Sequence, residues 1–113
     1  MHEVSIIQGM LELAEKTAKG SGATRIHRLH LRVGAMSGVV PESLSFAFEV
    51  VREGTMAAEA ELSIEFIPPV CWCPRCQEEF GSIKYVFECP KCHQFSRDLR
   101  KGRELELADM EVS

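Results

Sequence analysis

The sequence predicts an α+β fold: a three-stranded sheet with two helices, plus an inserted four-cysteine zinc-ribbon lobe. Three observations carry that reading. Apolar residues recur at helical spacing in two segments, they alternate in three others, and all five cysteines fall between positions 71 and 92. A chain of 113 residues can hold one compact domain with a modest core, or a smaller domain with a stapled satellite. Cysteines crowded into one short segment favour the satellite.

The elements follow in order. From His2 to Lys19, Ile7, Met10, Leu11, Ala14 and Ala18 share one helical face, and Gln8, Glu12, Glu15 and Lys19 occupy the other. Gly20-Ser21-Gly22 ends that helix. Leu29, Leu31 and Val33 alternate with Arg28, His30 and Arg32 in a half-buried strand stopped by Gly34, and His27 and His30 read as part of its solvated face. Pro41 at a first-turn position, Glu42 at the positive end of the dipole, and Leu44, Ala47, Phe48 and Val51 on one side predict a second helix, stopped by Gly54. Leu62, Ile64 and Phe66 give a second strand before Pro68-Pro69. Leu105, Leu107, Met110 and Val112 give a third, with a change of parity near Ala108-Asp109 that predicts a bulge. The third strand finds no apolar partner in the tail. The economical assembly returns it to the sheet of the first half, which makes residues 1–69 and 104–113 an α+β body and residues 70–103 an inserted metal lobe with its linker. A parallel crossover through the second helix is open to the first two strands, and the pattern leaves the strand order undecided.

The lobe begins with VCWCPRC, residues 70–76, and continues to ECPKC at 88–92. Cys73-Pro-Arg-Cys76 and Cys89-Pro-Lys-Cys92 are two copies of one frame, twelve residues apart. In each, a tight turn aims two thiolates at one point. Two such knuckles make a tetrahedral sulfur cage, the geometry of structural zinc. The span 77–88 is long enough for a strand, a turn at Gly81 and a second strand. Two separate redox dithiols are the competing reading, but so small and polar a lobe needs a metal to fold. Cys71 lies outside the frame. On an extended strand it points to the same side as Cys73, and it reads as a free thiol unless its pKa is lowered. His93, just after the second knuckle, is placed either to hydrogen-bond or replace a thiolate or to serve as an exposed turn residue. Arg97, Arg100, Lys101 and Arg103 read as a soluble linker that can also meet an acidic partner.

Composition excludes several function classes. The net charge is −4 with a pI near 5.6, and residues 71–96 hold three basic side chains (Arg75, Lys84, Lys91) against three acidic ones (Glu78, Glu79, Glu88). Neither gives the basic face on which nucleic-acid affinity depends. No apolar run is long enough for a membrane span, and MHEVSIIQGM runs straight into mixed apolar and charged residues. The expectation is a soluble protein of a reducing compartment, the cytoplasm. No phosphate loop, nucleophile elbow or paired catalytic carboxylates can be assembled, so no enzyme is expected.

Met1-His2-Glu3 remains. A terminal amine, the following deprotonated amides and an imidazole form a planar nitrogen set suited to Ni(II) or Cu(II). Met1 is expected to be retained, because a residue as large as His2 blocks its removal. On residues alone, the plainer reading, a histidine that merely precedes a helix, prevails.

Taken together, MHE, RVGAMSGVVPESLSFAFEVVREGT, ELSIEFIPP and the two C-x-x-C pairs resemble the HypA/HybF family of nickel metallochaperones for [NiFe]-hydrogenase maturation. The resemblance runs end to end. It implies nickel at Met1, His2 and Glu3, structural or regulatory zinc at Cys73, Cys76, Cys89 and Cys92, and a chaperone that passes nickel on through protein contact. The implied partners are a nickel-handling GTPase of the same pathway, the hydrogenase large-subunit precursor and, in some organisms, urease maturation proteins. Cys71 is outside the family pattern, and the first knuckle is followed by Gln77-Glu78-Glu79 where some members carry a histidine. A pH-dependent exchange of sulfur for histidine ligands, proposed for members with both flanking histidines, here lacks one of them. The alternative from another class is a zinc-ribbon interaction or transcription module without transferable nickel. A thiol redox enzyme built on a reactive Cys71 is a third.

Overall fold

The structure, a computed structural model, describes residues 3–81 and 85–113. Helix α1 (Glu3–Gly20), strand β1 (Ile26–Gly34), helix α2 (Pro41–Val51) and strand β2 (Glu61–Ile67) follow in order. Helix α1 buries Ile7, Leu11, Ala14 and Ala18, and α2 buries Leu44, Ala47 and Phe48. Both stripes lie on the faces that the periodicity marks.

Strands β1 and β2 pair in parallel, Leu29 with Leu62 and Leu31 with Ile64, so α2 is the crossover between them. Strand β6 (Leu105–Val112) returns antiparallel on the other side of β1, giving the order β2-β1-β6. His30 faces Asp109 and Leu31 faces Leu107, so Ala108 is the extra residue of the bulge. The bulge restores Met110 and Val112 to the side of the sheet that packs on the core. Phe66 departs from the expected alternation. It lies on an edge strand, where the first turn of α2 covers it only partly, and it remains 51 % exposed.

A second sheet, β4-β3-β5, is made of β3 (Val70–Cys73), β4 (Glu78–Gly81) and β5 (Leu99–Lys101). The hairpin differs from the one expected within 77–88. Strands β3 and β4 pair across the first knuckle, Cys73 with Glu78 and Cys71 with Phe80. Residues 85–88 form no continuous strand, and Glu88 makes a single antiparallel bridge to Phe95. The basic run is also more than a linker, since Leu99–Lys101 is the strand β5. Arg100 forks onto Asp98 with two contacts of 2.9 Å and lies 4.7 Å from the Trp72 ring, which clamps β5 to β3.

The two sheets meet where two chain segments cross the end of β1. Gly34 N–H donates to Glu104 C=O at 2.7 Å, Ala35 N–H to Ile67 C=O at 2.8 Å, and Met36 N–H to Gly102 C=O at 2.7 Å. The backbones approach so closely that a Cβ on Gly34 would stand 2.1 Å from the Gly102 oxygen. Gly102 itself has φ +120°, which side chains rarely adopt.

Candidate metal centre

The two knuckles bring four sulfurs together. The Sγ atoms of Cys73, Cys76, Cys89 and Cys92 all lie within 4.8 Å of one another. Contacts run between the knuckles, Cys73 to Cys92 at 3.5 Å and Cys76 to Cys89 at 3.9 Å. A tetrahedron with metal–sulfur bonds of about 2.3 Å has edges of roughly 3.8 Å, so this cage fits zinc in size and donor type. The sulfurs are too far apart for disulfides.

Local backbone explains the convergence. Cys76 N–H points at Cys73 Sγ at 3.4 Å, and each turn closes with a bond of 2.8–2.9 Å, from Gln77 N–H to Cys73 C=O and from His93 N–H to Cys89 C=O. Gln77 and His93 therefore hold equivalent places one residue past each knuckle. Both adopt the left-handed conformation, φ +54° and +63°. His93 is thus the turn residue of the two readings above. Its ring is largely exposed and its Nδ1 faces Glu88 Oε1 at 3.3 Å. Lys91 pairs with Glu78, tying the second knuckle to β4.

The protons on the cage show what a cation would do. Burial, then hydrogen bonds from the neighbouring thiols, push the Cys76 thiol up to about 12, whereas the Cys92 backbone brings Cys89 down to about 7. Four thiolates cannot share this volume on their own. A dication reverses that balance, because it rewards the loss of every proton.

Cys71 is 1 % exposed and stands outside the cage. It shares its face of β3 with Cys73, as alternation requires, and packs with Phe80, Phe87 and Leu99 in the apolar centre of the lobe. Burial, together with Asp98, raises its pKa, the reverse of what a reactive thiol needs.

At the other predicted site, Met1 and His2 lie outside the described residues. Glu3 opens α1 and lines a groove with Val4, Ser5, Glu42, Ser43, Phe46 and Ala47. The groove places the first turns of α1 and α2 side by side. Sequence reasoning passed over Phe46, although its spacing off the buried stripe of α2 was visible. The Arg100–Trp72–Asp98 clamp had no such signal, because it depends on a strand pairing.

Residues 1–112 match the model of the family described as "Hydrogenase/urease nickel incorporation, metallochaperone, hypA". The chain belongs to the HypA family. Among its relatives, the hydrogenase maturation factor HypA of Picosynechococcus sp. is 45 % identical over 112 residues, covering 99 % of each chain. That of Chloroflexus aurantiacus is 42 % identical over 113 residues with the same coverage. The fold is shared with the solution structure of a HypA protein, at a TM-score of 0.74 and 28 % identity over 100 % of this chain and 97 % of that one. The Ni metallochaperone HypA from Helicobacter pylori superposes at 0.69, again with 28 % identity, over 99 % and 97 %. Membership of the HypA family makes this chain a member of a family of maturation factors. Among its described residues no helix is long and apolar enough to cross a membrane.

Proposed function

We propose that the chain is a nonenzymatic carrier that binds Ni(II) through Met1, His2 and Glu3 and delivers it for maturation of [NiFe]-hydrogenase. The family match over residues 1–112 is the observation that carries the proposal. In this reading residues 1–69 and 104–113 form the nickel-handling body and residues 70–103 the zinc lobe, with Zn(II) held by Cys73, Cys76, Cys89 and Cys92. Zinc there supplies folding free energy to a lobe with few apolar residues, and no redox chemistry. The cytoplasm is the compartment, and the receivers are the pathway's nickel-handling GTPase and the hydrogenase large-subunit precursor, with urease maturation proteins as a second destination.

The start of α1 suits the cargo. The first four N–H groups of a helix have no intrahelical acceptor, and Glu3 is the first residue of α1. Its amide can give up a proton to a nickel bond without breaking the helix. The positive end of the dipole favours the anionic nitrogen left behind. An imidazole elsewhere lacks the adjacent amine and amides, so position counts for more than the number of histidines. Because the ligand nitrogens must lose protons, affinity falls as pH drops through the imidazole range, near 6.5 for an unperturbed histidine.

Nickel and zinc per chain, measured on protein with an authentic Met1, test the reading. One firmly held zinc and one exchangeable nickel are expected. His2→Ala, or a few residues left ahead of Met1, should remove the nickel and leave zinc and fold intact. Zinc alone in the authentic protein would favour the interaction module, and unchanged nickel in both variants would rule out the N-terminal site.

A further inference from the structure

Helix α2 carries two phenylalanines with opposite surroundings. Phe48 is 1 % exposed in the core, whereas Phe46 is 75 % exposed. Val50, four residues on and therefore on the same helical face, is 61 % exposed, and Val4 across the groove is 47 % exposed. Scattered surface apolar residues are ordinary, but Phe46 and Val50 share one face of α2 and Val4 faces them from α1 across the groove, which makes a contiguous patch.

The charge around this face is as uneven as its polarity. Residues 3–15 and 41–53 hold six carboxylates, from Glu3, Glu12, Glu15, Glu42, Glu49 and Glu53, against one base, Arg52. The rest of the chain is close to balanced, with eleven acidic and twelve basic residues. With Lys16 and Lys19, which close α1, the helix pair and residues 52–53 carry six carboxylates against three bases, three of the four net negative charges of the protein. Arg52 is committed inward: it pairs with Glu49 at 2.7 Å, donates to Ala60 C=O at 2.8 Å and sits over the Phe48 ring. Glu3, Glu12, Glu42 and Glu53 have no ion-pair partner among the described residues.

We propose that Phe46, Val50 and Val4 form a docking surface for a protein segment that presents apolar side chains within a basic rim, as an amphipathic Lys/Arg-bearing helix does. Charge selects this occupant. An anionic membrane surface and a nucleic acid would meet unpaired carboxylates, and a second copy of the chain would set the same acidic rim against itself. A protein with a basic rim gains electrostatic steering to the face and buries its apolar centre. The surface needs no metal and so goes beyond the nickel reading. The two meet at Glu3, which puts the docked segment beside the proposed cargo site.

The test is an NMR titration of the full-length, zinc-loaded and nickel-free protein with a designed amphipathic helical peptide, leucine on one face and lysine on the other. A twin with glutamate for lysine is the control. The lysine peptide should shift the amides around Val4, Phe46 and Val50, and the twin should not. Phe46→Ser combined with Val50→Ser, both exposed and outside the core, should weaken binding by about tenfold or more. Glu42→Lys with Glu53→Lys should reverse the preference between the two peptides. Equal binding of both peptides, shifts confined to another surface, or no shift by the lysine peptide would each overturn the proposal. Nickel titration of the same serine variant is a separate readout. A lost surface with retained nickel and a retained surface without nickel are therefore distinguishable outcomes.

Discussion

Cys71 and Cys73 lie two residues apart on the same face of one strand, yet only one belongs to the cage. What separates them is the turn that follows Cys73. Its sulfur accepts the Cys76 N–H and faces the second knuckle, whereas Cys71 ends in a bed of phenylalanine and leucine. Cys73→Ala should therefore abolish tight zinc binding. Cys71→Ala should retain it and cost about 1 kcal/mol through a small cavity in the lobe. Zinc stoichiometry by elemental analysis, with chemical denaturation of both variants, checks the pair; loss of zinc from the Cys71 variant alone would mean that the wrong four ligands were assigned. In the native protein Cys71 should also be the slowest thiol to modify, because it is buried and its pKa is raised. The repeated C-P-x-C frame made the clustering of the four cysteines legible in the sequence. The left-handed turn at Gln77 was not legible, since a glutamine gives no hint of positive φ, and its equivalence to His93 becomes visible only in the folded knuckles.

At the scale of elements, helical periodicity located both helices because each has one stripe against one sheet. Alternation located β6, including its bulge, because β6 needs a core face. Pairing across the lobe was illegible by comparison. The sequence of Leu99–Lys101 is mostly basic, and its strand exists through hydrogen bonding to β3 and the clamp of Arg100 on Trp72 and Asp98. Strand β6 supplies Leu105, Leu107, Met110 and Val112 to the main core. Deleting residues 104–113 should cost several kcal/mol, a large share of the roughly 5–15 kcal/mol typical of a domain. Thermal unfolding followed by helical circular dichroism checks this, and full stability of the truncated protein would make the tail an appendage. The crossing behind β6 is equally exacting. Gly102→Ala should destabilise by about 1–3 kcal/mol, because its φ of +120° is hostile to a side chain and the new Cβ would meet the Pro69 Cα at 2.9 Å. Denaturant unfolding of that variant, at unchanged zinc content, is the measurement.

Across the whole molecule the fold sets two separate cores at one shared end. Among the described residues, the main core draws on α1, β1, α2, β2 and β6 and contains no residue of 70–103, while the lobe core contains nothing outside that segment. Strand β1 points toward the lobe and ends at Gly34 on the crossing. The first turn of α2 lines one groove with Phe66, whose partner Val33 is next to Gly34, and the first turn of α1 lies beside that of α2. The proposed nickel end of the body is consequently the end to which the four-cysteine lobe is attached, although among the described residues the two buried clusters have no member in common. Proximity without a common core predicts that the lobe can be damaged without disarming the body. A protein carrying both Cys73→Ala and Cys76→Ala should lose zinc and the ordered lobe, yet keep the helical signal of α1 and α2 and bind nickel with the stoichiometry of the authentic protein. Substitution is preferable to chelation, since a chelator strong enough to strip zinc would take nickel as well. Calorimetric nickel titration beside circular dichroism decides the matter: helix retained with nickel lost would mean that the crossing at Gly34 and Gly102 transmits the state of the lobe to the start of α1, and that the two sites act as one.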